Sequence, residues 1–178
     1  MNIRNEKQTI TIRKMSVDDI EPVMSLTSKC FDDEWTAESF ANELSNKVTN
    51  YIIALSGEKV VGFMGAWFIV DEVHVITVAV DPDFRKLGTG KQLVLRMLDL
   101  ALESNCRWAT LEVNRNNTPA VRLYEQFGFK KISDRKDYYG PGEDAMIMWT
   151  GNMHSSEYKE LLSKIRNELE DRICLYLV

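Results

Sequence analysis

The chain is poor in the residues from which metal and disulfide sites are made. Among 178 residues it has three cysteines, Cys30, Cys106 and Cys174, and two histidines. Three is an odd number, no pair has CxxC spacing, and no Cys/His set has the spacing of a zinc site. A disulfide scaffold and a zinc module are therefore both disfavoured, and a reducing compartment is expected. Long apolar runs are also missing. Nothing approaches the roughly 20 residues needed to cross a bilayer, and Met1–Arg13 contains no apolar signal core. The expectation is a soluble, cytoplasmic protein with no membrane partner. Nor is positive charge in excess: 27 acidic residues against 22 basic give a net charge of −5, which argues against nucleic acid held by bulk charge and leaves only local basic patches for an anion. No internal repeat or low-complexity segment is present. What remains is 44% apolar residues, enough to pack one core.

Periodicity places the elements. Thr9–Arg13 alternates as a strand, and Ser16-Val17-Asp18-Asp19 sets a hydroxyl three residues before a carboxylate, a capping box that opens a helix to about Cys30. Thr36 caps a second helix with Phe40 and Leu44 on one face. Tyr51–Leu55 and Val60–Ile69 read as a hairpin across Ser56-Gly57-Glu58-Lys59. Val73–Val80 is apolar on both faces apart from His74 and Thr77, so it is expected in the sheet interior. A helix from Thr89 carries Leu93, Val94, Met97, Leu98, Ala101 and Leu102 at intervals of three and four. Ala109–Val113 reads as a strand, and Thr118-Pro119 as cap and first turn of a helix that Gly128 ends. Phe129–Ser133 and Ala145–Thr150 complete the sheet. A last amphipathic helix follows, with Tyr158, Leu161, Leu162, Ile165 and Leu169 as its stripe, before the apolar Ile173–Val178. The domain is expected over residues 1–152 and a C-terminal helical extension over 153–178, with monomer and homodimer both open.

Arg85-Lys86-Leu87-Gly88-Thr89-Gly90 stands where the interior strand ends and the helix begins. Gly88 and Gly90 remove side chains that would block a close anion, so the free N–H groups of the first helical turn can face pyrophosphate oxygens, aided by the helix dipole. The same hexapeptide also serves as a tight strand-to-helix turn. Leu111-Glu112-Val113 puts a carboxylate inside an apolar strand, where burial would raise its pKa and fit it for general-base work; the plainer alternative is an exposed or ion-paired glutamate. Asn114–Ala120 is rich in amides and hydroxyls at a strand end, where open-sheet pockets form. Tyr124, four positions past Ala120, carries a phenol able to protonate a thiolate, or simply lies in the core with its hydroxyl at the rim.

Taken together, Val78–Gly90, Leu111-Glu112-Val113, Asn117 and Leu123-Tyr124-Glu125-Gln126-Phe127-Gly128-Phe129 resemble the GNAT acetyltransferase family over roughly residues 9–150. Within it the chain is most similar to the ribosomal protein alanine N-acetyltransferases. The segments that point there are Trp35-Thr36, Asp71-Glu72-Val73-His74, Leu111–Asn117 and Arg135-Lys136-Asp137-Tyr138-Tyr139. The resemblance implies an α/β fold, with a mixed and mostly antiparallel central sheet flanked by helices and a parallel central strand pair around the acetyl-CoA site. It implies acetyl-CoA as cosubstrate, no metal, and a protein N-terminus on a small-subunit ribosomal protein as the acceptor. Val78, Ala79 and Val80 would meet the pantetheine arm, and Arg85, Lys86, Leu87, Gly88, Thr89 and Gly90 the pyrophosphate. Asn117 matches an amide contact near the cofactor, Glu112 the general base and Tyr124 the general acid. Trp35, Tyr138 and Tyr139 match residues along the peptide's path. Departures are Thr77 where asparagine is frequent, Asn114 where arginine is usual, and the length beyond about residue 152.

Other readings fit less well. A dinucleotide fingerprint would need a third glycine where Leu93 stands, and a nucleoside-triphosphate loop would need glycine at Arg85 and Ser or Thr at Gln92. A GNAT enzyme for small amines or lysine side chains stays open, with Asp32, Asp33, Glu34, Asp71 and Glu72 as an attraction for a cationic acceptor. So does a non-catalytic module that binds acyl-CoA or a protein.

Overall fold

The computed structural model describes residues 9–31 and 35–170 and the backbone of 175–177; Asp32, Asp33, Glu34, Ile173 and Cys174 lie outside the described residues. The strands are β1 (Ile10–Lys14), β2 (Thr49–Ser56), β3 (Lys59–Ile69), β4 (Glu72–Val80), β5 (Trp108–Asn114), β6 (Lys130–Gly140), β7 (Glu143–Trp149) and β8 (Leu175–Leu177). The helices are α1 (Ile20–Cys30), α2 (Ala37–Ser45), α3 (Thr89–Glu103), α4 (Thr118–Gln126) and α5 (Ser156–Glu170). All described strands join one sheet in the order β6-β7-β5-β4-β3-β2-β1-β8. Pairing is antiparallel except at β4–β5 and β1–β8. This is the mixed α/β sheet expected, with one parallel contact at the centre and a second, unexpected one at the edge.

Two apolar layers fill the two faces. On one, Leu93, Val94, Met97, Leu98 and Ala101 of α3 pack with Ala109, Leu111 and Val113 of β5 and with Tyr124, Phe127 and Phe129. Met153, Tyr158, Leu162, Ile165 and Leu169 are buried in that same core, so the helix read as an extension shares the interior of the domain. Tyr158 Oη donates to the Phe127 carbonyl at 2.9 Å, and Arg166 makes two bonds to Asp99 at 2.8 and 3.1 Å. On the opposite face, Met15, Val23, Leu26, Phe40, Tyr51, Ile53 and Phe63 form the layer beneath α1 and α2. Full burial of such a side chain contributes about 1.5–3 kcal/mol.

Local signals act where the sequence put them, with small shifts. Ser16 and Asp19 form the capping box, but it opens a 3₁₀ turn at Val17–Asp19 that runs into α1. Thr36 Oγ1 accepts from the Ser39 N–H at 3.1 Å at the start of α2. The cap of α4 is Asn117 rather than Thr118: its Oδ1 accepts from the Ala120 N–H at 3.3 Å, and Pro119 falls in the first turn. β6 runs to Gly140 instead of stopping at Ser133. It is an edge strand exposed along nearly its whole length, so it carries Lys130, Lys131, Asp134, Arg135, Lys136 and Asp137 and no apolar alternation by which to read it.

Candidate active site

Strands β4 and β5 start together and then separate. Their parallel register covers Glu72↔Trp108 to Val75↔Leu111 and goes no further, although β4 continues to Val80 and β5 to Asn114. At the same level the β3–β4 register shifts: Gly65 pairs with Thr77 but Ala66 with Val75, leaving Ile76 as an extra residue on β4. Such a bulge bends its strand and ends pairing on the free side. Beyond it, Thr77–Val80 keeps β3 on one edge and has no β5 partner on the other, so main-chain groups of Val78 and Ala79 border an open notch.

The far end of β4 leads to the start of α3. Gly88 is the N-cap, at φ 96° and with no side-chain cap; that left-handed conformation favours glycine. The first-turn N–H groups of α3 therefore have no side-chain cap acceptor, an arrangement able to receive an anion at the helix's positive end. A β-carbon at Gly90 would meet Leu123 Cδ2 at 3.5 Å and Val80 Cγ2 at 3.8 Å. Those are ordinary contacts, so the fold does not demand a glycine, and its smallness keeps space open above the turn. Two side chains of the hexapeptide, Arg85 and Thr89, are used internally. Arg85 Nε donates to the Val80 carbonyl at 3.0 Å, with an Nη 3.8 Å from Cys30 Sγ, and Thr89 Oγ1 donates to the Phe84 carbonyl at 3.3 Å. Lys86 and Leu87 are exposed. The turn thus offers an anion its backbone more than its guanidinium. Below it, buried Asp81 accepts from the Asp83 N–H at 3.1 Å and pairs with Lys59 at 3.1 Å and Lys29 at 3.5 Å. Burial works against its charge, but these three partners hold the carboxyl below the usual range.

Glu112 lies on the other side of the notch. Ala109, Leu111 and Val113 turn into the core beneath α3, so alternation sends Thr110, Glu112 and Asn114 to the opposite face. There Glu112 is not enclosed by apolar groups as the sequence suggested: its side chain is 28% exposed and its Oε1 is 2.7 Å from Arg135 Nη1 of β6. The strand is apolar on its core-facing side only, which is why an apolar sequence context misread the wetter side. Tyr138 also hydrogen-bonds Glu112, and this bond is the main reason its phenol is pushed up. The Arg135 guanidinium lies 5.4 Å from the centre of the Tyr138 ring, and the rings of Tyr138 and Tyr139 meet edge to face at 4.9 Å. Tyr139 Oη donates to the Glu112 carbonyl at 3.3 Å. Burial, then Tyr138 and Glu112, push the Tyr139 phenol up to about 12.

Tyr124 approaches from α4. It is buried, packs edge to face on Phe129 at 5.7 Å, and its phenol is pushed up by burial and then by neighbouring Tyr139. Tyr139 is thus the link between Glu112 and Tyr124. Both phenols stay protonated at neutral pH and are able to donate. Trp35 stacks on Phe40 at 4.9 Å, in the aromatic group with Tyr51 and Phe63 over β2 and β3, on the face of the sheet that bears Glu112. The Asn117 amide oxygen is occupied in capping α4.

Two features of this face escaped the sequence reading. Glu72 and His74, two apart on β4, pair at 2.7 Å on the side that bears Glu112, as the His74↔Thr110 register shows; an i,i+2 acid and histidine on a strand is the signal that was there to be read. Arg135 had no role assigned. Among the described residues no three His, Cys, Asp or Glu side chains come together as a metal site.

The Acetyltransferase (GNAT) family model matches residues 20–129. A putative [ribosomal protein bS18]-alanine N-acetyltransferase of Bacillus subtilis is 33% identical over 145 residues, 80% of this chain and 96% of that one. The crystal structure of the ribosomal-protein-S18-alanine N-acetyltransferase from Escherichia coli superposes with a TM-score of 0.75 at 25% identity, over 84% of this chain and 97% of that chain. In fold alone, Arabidopsis thaliana NAA60 in complex with acetyl-CoA is similar at a TM-score of 0.72 and 21% identity, covering 79% and 97%.

Proposed function

The chain belongs to the GNAT family and is an acetyl-CoA-dependent N-acetyltransferase, and from that premise we propose that its acceptor is the N-terminal α-amine of a protein, ribosomal protein bS18 or its counterpart. What supports this acceptor is the activity named for the relatives at 33% and 25% identity. One arrangement supports the chemistry: Tyr139 bonds the Glu112 carbonyl and neighbours Tyr124, on the strand from which β4 separates.

Acetyl-CoA is the acyl-donor substrate. Its pyrophosphate is assigned to the first-turn N–H groups after Gly88, and its pantetheine arm to the edge of β4 at Val78–Val80 that β5 leaves, where the Val80 carbonyl already accepts from Arg85 Nε. The amine nitrogen attacks the thioester carbonyl, the C–N bond forms and the C–S bond breaks. Glu112 takes the proton lost by nitrogen, directly or through one water, and Tyr124 gives its proton to the departing sulfur. An α-amine, with a pKa of about 7.7–8.0, is already partly neutral near pH 7.5, so little is asked of the base. Tyr138 and Tyr139 form the wall along which the acceptor's first residues would lie.

The test uses purified protein, acetyl-CoA and the N-terminal peptide of bS18 with its α-amine free or blocked, read by intact mass. One acetyl group on the free peptide and none on the blocked one is the expected result. Acetylation confined to lysines or to small polyamines would remove the α-amine reading and keep the family chemistry.

A further inference from the structure

Arg135 and Glu112 form an ion pair that the fold has little reason to keep for stability. The arginine side chain is 56% exposed and the glutamate 28%, and pairs so open to water contribute little to folding. It is nevertheless a dedicated pair. The other carboxylates near Arg135 have cations of their own: Asp134 binds Arg115 at 2.7 Å and Lys131 at 2.6 Å, while Asp144 is 3.8 Å from Arg115. Asp137 Oδ1 accepts from the Gly142 N–H. The guanidinium is steadied over the Tyr138 ring, which itself bonds Glu112. Two further acids on that face are also engaged: Glu72 is held by His74 at 2.7 Å, and Glu43 accepts from Trp67 Nε1 at 3.0 Å.

We propose that Arg135 is a specificity-determining residue that selects α-amines over lysine side chains. This rests on the α-amine reading above and goes beyond it. A lone Glu112 would draw in any ammonium ion and take its proton within the site, so that a lysine would be captured and made nucleophilic there as an α-amine is. With Arg135 at hydrogen-bond distance the pair presents no net charge, and a fixed cation stands beside the acceptor's nitrogen. An amine then enters in its neutral form. At pH 7.5 roughly a third of an α-amine is neutral but only about a thousandth of a lysine side chain, from their ordinary pKa values. The protonated lysine meets a repulsive partner, and discrimination comes from that repulsion as well as from the attraction offered to the correct acceptor.

The experiment compares two peptides of the same sequence in one reaction, one with a free α-amine and arginine in place of lysine, the other with a blocked N-terminus and one free lysine. The quantity read is the ratio of kcat/KM values, which is independent of the fraction of folded enzyme. The wild type should favour the α-amine by roughly 10²-fold or more, the margin set by the two neutral fractions. Arg135→Gln should narrow that ratio at least tenfold, with a lower KM for the lysine peptide, and Arg135→Lys, which restores the charge, should keep it near the wild-type value. If the glutamine variant does not fold, Arg135→Met keeps the stem over Tyr138 and is read in the same way. A folded variant that loses rate on both peptides equally, so that the ratio stands unchanged, overturns the proposal. Failure of the α-amine reading is seen separately and first, as a wild-type enzyme that prefers the lysine peptide or acetylates neither.

Discussion

The side of the notch proposed for the acyl donor comes from one continuous stretch, Val78–Gly90, and what it presents is main chain: the edge of β4 that β5 leaves and the first turn of α3. The groups proposed for the acceptor side are gathered from β5, α4 and β6, and they present side chains: Glu112, Tyr124, Arg135, Tyr138 and Tyr139. Backbone recognition needs only the right dihedral angles and room for the ligand, so side chains of the turn can be spent on the turn itself, as Arg85 and Thr89 are. Side-chain recognition depends on individual atoms held by neighbours on other elements. The first should tolerate substitution except at glycine, and the second should fail one atom at a time.

The largest effects are expected on the acceptor side. Glu112→Gln and Tyr124→Phe should each lower kcat by about 10²-fold or more, the usual range for loss of a general acid or base, with coenzyme A affinity by calorimetry unchanged. Equal turnover in both variants would erase the distinction between the two sides. On the donor side, Gly88→Ala must hold a left-handed angle that costs a non-glycine residue roughly 1–2 kcal/mol; the Kd for coenzyme A should rise about tenfold while kcat at saturation changes little. Arg85→Gln should move that Kd by much less, because its guanidinium is turned back to the Val80 carbonyl.

Further from the notch, a β-carbon at Gly65 would lie 2.4–2.5 Å from the Tyr51 ring, whose buried hydroxyl has no partner among the described residues. Gly65→Ala should therefore destabilise by about 1–3 kcal/mol as overpacking, visible as a lower Tm, and Tyr51→Phe should cost nothing measurable.

The smallest effect concerns the hinge between β1 and α1. Hydrogen bonds from Arg13 hold the Asp19 carboxyl at about 2. Because the folded value is depressed, the stabilisation is present above the unfolded value near 4 and lost as pH falls toward 2. Denaturant titrations should show wild type losing its advantage over Asp19→Asn in that window and keeping it at neutral pH.

The two sides also differed in how openly the sequence displayed them. The Gly88 turn was legible because its elements are contiguous and Gly88 has a local cause in its left-handed angle. The place of α3, and the apolar β4 feeding it, followed from periodicity. Glu112 could be picked out, but its surroundings could not: nothing in Leu111-Glu112-Val113 tells that Arg135, in a strand with no apolar alternation, closes on its carboxylate. The bulge at Ile76 was hidden as well, since it depends on how β3 and β4 align. Residues 153–170 read as an addition because an amphipathic stripe says that a helix packs, not on what. Asn117 illustrates the same limit, its amide being committed to a helix cap that Thr118-Pro119 seemed to claim.

The most direct test of the central claim is a crystal structure with coenzyme A. The pyrophosphate should lie on the main-chain N–H groups that follow Gly88, the arm along Val78–Val80, and the sulfur within hydrogen-bond reach of Tyr124 Oη with Glu112 across the notch. A cofactor bound away from the start of α3, or a sulfur remote from both side chains, would contradict it.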